Sequence, residues 1–226
     1  MAYTTQQEVR TTIVTPTTGA SSLYNACRSV HEQTRKADHL IVIDGKQYAD
    51  RTYNILIELT AELGESFQPD VIELPFNTGH DKWLGLKIYS AMCQIIQNPY
   101  MAMLDEDNTF KMNWVETMEY ELHHSDLYYV TCRRTICNEN GNYIAKDNHE
   151  SIGENKYGYK LYDTNTWLMR VEHMRNFIPA IIQKWSGDRQ LTEVAFNLPH
   201  KHLTDYYGTV YTAREDMYHF FTKGGL

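Results

Sequence analysis

Apolar residues fall in short unbroken runs, separated by stretches in which they recur every three or four residues. Thr11 to Thr15 is β-branched throughout and stops at Pro16, with Gly19 and Ser21-Ser22 behind it. Such a run reads as a buried strand ending in a loop. Ser21 or Ser22 can cap a helix with Leu23, Ala26, Cys27 and Val30 on one face. His39 to Ile43 is a second strand, halted at Asp44-Gly45. A helix with Tyr53, Ile55, Leu56, Leu59 and Leu63 follows and ends at Gly64. Val71 to Leu74 is a third strand, closed by Pro75. Asn77-Thr78-Gly79 then leads into a long helix over Trp83, Leu84, Ile88, Ala91, Met92 and Ile95, which stops before Pro99. A fourth apolar strand, Tyr100 to Leu104, runs straight into Asp105-Glu106-Asp107-Asn108.

Strands alternating with helices predict an α/β fold with a mostly parallel central sheet and helices on both faces. Ligands of such sheets sit outside the carboxyl ends of the strands. Thr15, Asp44, Asn77, Asp105 and Asp107 all fall at or just past strand ends, so the polar chemistry gathers on one edge. The second half has a different pattern. Leu127 to Thr135 reads as a strand, Asn140-Gly141 as a hairpin turn before Tyr143-Ile144, and Trp167 to Arg170 as another strand. Asp147 to Tyr159 is polar and Gly-containing and reads as a mobile loop able to close over a ligand. Helices are expected at Val171 to Trp185 and Arg189 to Asn197, with strands near His202 and at Tyr206 to Tyr211. The 226 residues fit one domain.

Composition narrows the function classes. The 42% hydrophobic and 22% charged content is that of a globular chain with one core. The net charge is −8 and no Lys/Arg run exceeds two residues, so a nucleic-acid partner is not expected. A metal ion could still hold an anionic ligand on an acidic protein. The seventeen tyrosines suit packing first and sugar or base contacts second. Cys27 and Cys93 sit in apolar helical patterns and read as buried thiols. Cys132 and Cys137 flank an expected turn and could meet across a hairpin, although nothing in the sequence points to an oxidising compartment. No apolar run approaches the ~20 residues of a membrane span, and Met1 to Arg10 is polar. A cytoplasmic location is the expectation.

The candidate chemistry is mostly acidic. Asp105 and Asp107, at i and i+2 after an apolar strand, are hard oxygen donors of the kind that hold Mg2+ or Mn2+ against phosphates. Asp44 ends a strand where an acidic residue can hydrogen-bond a base or ribose, or can serve as a turn residue before Gly45. Asp188 is an N-cap residue or a general base for an attacking hydroxyl, with Glu193 a weaker competitor one turn on. His200 and His202 could complete a metal site, and His123-His124 favours a helix end. Tyr162, Asp163, Asn165 and Trp167 could line a sugar groove. Dinucleotide-binding, P-loop and esterase-elbow motifs are missing.

Taken in order, these segments resemble glycosyltransferase family 2 enzymes of GT-A (Rossmann-like) fold. Thr12 to Thr17 looks like that family's first-strand motif, and Ser29-Val30 with Gln33-Thr34 like the end of its first helix. Ile41 to Gly45 resembles its "IVVDDGS" strand, Asn77-Thr78-Gly79 its "N-x-G", Met103 to Asn108 its "LDDDN" D-x-D segment, and Gly187 to Leu191 its "G-x-D-x-x-L" segment. The resemblance implies a metal-dependent transfer of a sugar, with inversion, from a nucleotide-diphosphate donor (by default a UDP-sugar) to a carbohydrate or other hydroxyl acceptor. It further implies that Thr15, Pro16 and Thr17 border the nucleotide and that Asn77 lies in the same cofactor-binding set. Asp44 would contact the base. Asp105 would lie near the ribose and metal, Asp107 would bind Mn2+ or Mg2+, and Asp188 would deprotonate the acceptor. Residues of about 10–110 would then form a nucleotide-sugar-binding half of a single domain and about 111–226 an acceptor-binding half, with a smaller acceptor-side part toward the C-terminus.

Overall fold

The computed structural model describes residues 11–79, 85–123, 126–181, 187–198 and 203–214, with only the backbone described for residues 176, 178–181 and 187–188. In the first half, β1 (Thr11–Thr17), β2 (Asp38–Ile43), β3 (Asp70–Glu73) and β4 (Tyr100–Met103) alternate with α1 (Leu23–His31), α2 (Ala49–Leu63) and α3 (Leu86–Met92). The second half contributes β5 (Thr109–Phe110), α4 (Trp114–His123), β6 (Tyr129–Asn138), β7 (Tyr143–Lys146), β8 (Gly153–Glu154), β9 (Lys160–Leu161), β10 (Trp167–Arg170), α5 (Val171–Ile181), α6 (Gly187–Phe196) and β11 (Leu203–Ala213).

Among the described residues nine strands form one sheet in the order β3-β2-β1-β4-β10-β6-β11-β5, with β7 also on β6. The run β3-β2-β1-β4 is parallel, as the β–α alternation predicts. β10 enters antiparallel between β4 and β6. β11 occupies one edge of β6 over its length. The other edge takes β10 at Tyr129 to Thr131 and β7 only from Thr135 onward. That edge passes from one partner to the other between Thr131 and Arg134, whose carbonyl accepts the Asp147 N–H at 2.9 Å.

The helices pack on both faces. Val14, Val42, Met101, Met103 and Met169 lie under Ile88, Tyr89 and Met92 of α3, Met174 and Phe177 of α5 and Leu191 and Ala195 of α6. On the opposite face Ile13, Ala102 and Val130 meet Ala26 and Val30 of α1 and Trp114, Met118 and Leu122 of α4, while Ile41 meets Leu56 and Leu59 of α2. These are the alternating and three-to-four-residue positions of the sequence, and their burial is what holds each element in place.

Several expectations change. Ser22 occupies the N-cap of α1 without a side-chain hydrogen bond, so packing rather than capping carries the start of that helix. Helix α3 is shorter than the apolar steps suggested, ending at Met92, while residues 80–84 lie outside the described residues. Cys132 and Cys137 share strand β6 and, being an odd number of residues apart, face opposite sides. They cannot pair across a hairpin, and all four cysteines are free and buried. The segment from Asp147 to Tyr159 starts in a turn anchored by the fully buried Asp147 and Ser151, with Asn148 and His149 exposed, and continues into the β8–β9 hairpin. The two strands expected near the C-terminus are one continuous strand, β11.

Candidate functional site

The site forms where β1 and β4 part. Val14 accepts the last ladder hydrogen bond from Leu104, at 3.0 Å. Alternation aims the next position on that edge, Pro16, at β4, and proline has no N–H to offer. The ladder stops, β4 turns away into Asp105 to Asp107, and a crevice opens at the point where the strand order reverses. That is where open α/β sheets bind ligands. Pro16 closes one wall against α3, since a Cβ at Gly85 would stand 2.9 Å from the Pro16 Cγ atom.

The three acids after β4 have separate partners. Glu106 points back at the β1–α1 loop. Its Oε1 accepts from the Thr18 N–H at 3.1 Å and the Thr18 hydroxyl at 2.8 Å. Its Oε2 accepts from the Thr17 hydroxyl at 2.5 Å and the Ala20 N–H at 3.0 Å. The loop is wrapped around one carboxylate. Asp105 accepts at Oδ1 from the Tyr89 hydroxyl at 2.8 Å and at Oδ2 from the Asn165 amide at 2.7 Å. Burial, then the charge of Asp107 close by, push the Asp105 carboxyl up to about 7. Asp107 lies 3.6 Å from the Arg214 guanidinium, yet burial still raises its carboxyl above the ordinary range.

Asp44, only 4% exposed, holds the loop after β3. Its Oδ1 accepts from the Thr78 N–H at 2.6 Å, and its Oδ2 from the Gly79 N–H at 3.0 Å and the Asn77 amide at 3.1 Å. Asp44 and Asn77 are thus bonded to each other at the end of β2. Thr15 is fully buried, with its hydroxyl 3.0 Å from His39 Nε2, so it stands behind the crevice wall. Thr17 is held by Glu106.

Behind the acids lies a buried polar network that the sequence did not reveal. Arg134, 1% exposed, donates to Asp147 from Nε at 2.9 Å and from Nη2 at 2.5 Å, to Asp163 at 2.8 Å and to Glu150 at 3.0 Å. Burial opposes its charge, but Asp163 and Asp147 outweigh that and hold it charged. Burial alone would raise the Asp147 carboxyl. Arg134 and the N–H groups of Glu150, His149 and Ser151 reverse this and hold it below its ordinary range. Tyr162, Asp163, Asn165 and Trp167, expected to line a groove, are all buried and support the site from inside. The available signal was a pair of arginines, Arg133 and Arg134, as the only charges of a ten-residue strand, together with the Asp163-x-Asn165 turn spacing.

Asp188 is the second residue of α6, and its side chain lies outside the described residues, as do His200 and His202. Among the described residues no group of three or more His, Cys, Asp or Glu side chains converges as a metal site. Two carboxylates, however, suit a hard divalent cation whose other positions are filled by phosphate oxygens and water. The charge that Asp107 and Asp163 place beside Asp105 fits such an ion.

The geometry can be set beside known proteins. The chain matches the model of "Glycosyl transferase family 2" over residues 12–184. Among solved structures it is similar to S. aureus TarS 1-349 in complex with UDP-GlcNAc, with TM-score 0.69, 15% identity, and coverage of 96% of this chain and 61% of that one. A second crystal structure of S. aureus TarS 1-349 gives TM-score 0.67, 15% identity and coverage of 90% and 60%. The longer TarS structure gives TM-score 0.65 and 15% identity, with coverage of 91% and 37%. This chain therefore spans about three fifths of the 1-349 structures. At such identity the likeness shows the fold, which is the GT-A arrangement expected from the sequence. The search of curated proteins gives no match. No helix among the described residues is long and apolar enough to cross a membrane. The family match runs from β1, through the crevice and its acidic turn, into the residues that follow α5, and on that match this chain belongs to glycosyl transferase family 2.

Proposed function

We propose that this chain is a metal-dependent glycosyltransferase that moves a sugar from a UDP-sugar to a hydroxyl acceptor with inversion. One observation carries the reading: a family 2 chain sets two carboxylates, Asp105 and Asp107, at the crevice between β1 and β4. The similar TarS structures in complex with UDP and with UDP-GlcNAc support a uridine nucleotide as donor. Pro16 and Thr17 would border the nucleotide, and the Asp44–Asn77 pair would close the base side. Residues of about 10–110 would serve the donor and about 111–226 the acceptor. Asp105 and Asp107 would hold Mn2+ or Mg2+, and a divalent ion bound there stabilises charge developing on the leaving diphosphate oxygen. Asp188 would take the acceptor hydroxyl proton as that oxygen bonds to the anomeric carbon and the carbon–diphosphate bond breaks.

A thermal-shift titration with UDP, with and without Mn2+, tests this. At ligand about 100-fold above Kd the stabilisation expected is about 2.7 kcal/mol. It should require both UDP and metal and should vanish in Asp107→Ala. A shift with UDP alone that Asp107→Ala retains would refute the metal-dependent reading.

A further inference from the structure

We propose that Asn165 is the positioning residue that fixes the Asp105 carboxylate for the donor–metal site. The inference rests on the reading above that Asp105 and Asp107 form that site.

Asn165 is 1% exposed and sits between two carboxylates. Its amide nitrogen donates to Asp105 Oδ2 at 2.7 Å and to Asp163 Oδ1 at 2.8 Å. Its carbonyl oxygen accepts the Asp105 backbone N–H at 2.5 Å. Both N–H bonds and the acceptor are used, which also fixes the orientation of the amide. A flipped side chain would set its oxygen against two carboxylates and its N–H bonds against an N–H. No other small side chain supplies two donors and an acceptor in one plane. Aspartate would bring a third carboxylate, and alanine would leave both acids short of a donor.

The turn does not need this side chain to close. Asp163 Oδ1 already accepts the Asn165 backbone N–H at 2.9 Å, Asp163 O accepts the Thr166 N–H at 3.0 Å and the Thr166 hydroxyl at 2.7 Å, and Thr209 bonds the Asn165 carbonyl at 2.8 Å. The Asn165 side chain instead reaches across the sheet to a residue 60 positions earlier. With Tyr89 on the other oxygen, it holds the Asp105 carboxylate at two points and leaves a lone pair free on each oxygen. Asp163 is in turn held by Arg134, so the orientation of a donor-side acid is set from the second half of the chain.

The test is a titration of Mn2+ in the presence of UDP, read by the electron paramagnetic resonance signal of free Mn2+, with thermal melts alongside. Partners of metal-ligating side chains typically change affinity 10- to 100-fold when removed, so Asn165→Ala should weaken Mn2+ binding about tenfold or more. Asn165→Ser, too short to bridge both acids, should do the same and serves if the alanine variant fails to melt cooperatively. Thr166→Ala removes a buried hydrogen bond from the same turn without touching Asp105, so it should lower the melting temperature and leave Mn2+ affinity unchanged. Wild-type affinity in the Asn165 variants, or an equal loss in Thr166→Ala, would overturn the positioning role. A wild-type protein that takes up no Mn2+ with UDP would instead remove the donor–metal reading itself, and the proposal with it.

Discussion

His39 shows how a single side chain is committed by burial. It sits in β2 with one ring nitrogen on the Thr15 hydroxyl, and burial lowers its pKa to about 3. An unfolded histidine titrates near 6.5. Between those values the unfolded chain binds the proton and the folded chain does not, so stability is full above pH 6.5 and falls as pH drops toward 3. The slope is at most about 1.4 kcal/mol per pH unit. Urea melts at pH 7.5 and 5.0 should show wild type losing about 2 kcal/mol more than His39→Gln. Equal losses would mean that His39 is already protonated in the fold. Glu106 makes the same point without titration. Four donors converge on it, so the middle residue of the acidic triplet serves the β1–α1 loop while its neighbours face the crevice.

At the scale of elements, two glycines separate backbone strain from crowding. Gly141 lies in the β6–β7 turn at φ +77°, and a Cβ there would meet nothing within 4 Å. Gly141→Ala should therefore cost only the left-handed conformation, about 1–2 kcal/mol. Gly153, in β8 at φ +86°, would drive a Cβ to 2.6 Å from the Tyr162 hydroxyl and 3.2 Å from Phe196. Gly153→Ala carries the same backbone cost plus a steric one, and should lose more in denaturant melts. A ranking with Gly141→Ala as the worse variant would contradict this packing of the hairpin on α6. Strand β6 shows why packing matters more than propensity here. It carries β11 along one edge and is shared on the other between β10 and β7, and Arg134 sits where that edge passes from one to the other, with its carbonyl on the Asp147 N–H.

For the whole molecule, the antiparallel insertion of β10 ties the halves into one core. Ile13 and Ala102 from the first half pack with Trp114, Val130 and Leu168 from the second. Without β10, β4 would become a bare sheet edge with its apolar face uncovered. A fragment of residues 1–111 is accordingly expected to lack a cooperative thermal transition and to bind a hydrophobic dye. A sharp melt from that fragment would show that the donor half folds alone.

The amino-acid sequence alone determined the parallel β–α order, the strand ends and the acidic turn. Each is written in periodicities of two and of three to four residues, and in Pro, Gly and Asp punctuation, that act over a few neighbouring positions. Only the tertiary structure decided which partner each polar group takes. Asp44 turns to Asn77, 33 residues away, Asp105 to Asn165 across 60, and Glu106 to Thr17 across 89. The β10 insertion and the burial of the expected groove residues belong to the same class. Such partnerships depend on which strands become neighbours in the sheet, and local patterning carries no information about that order.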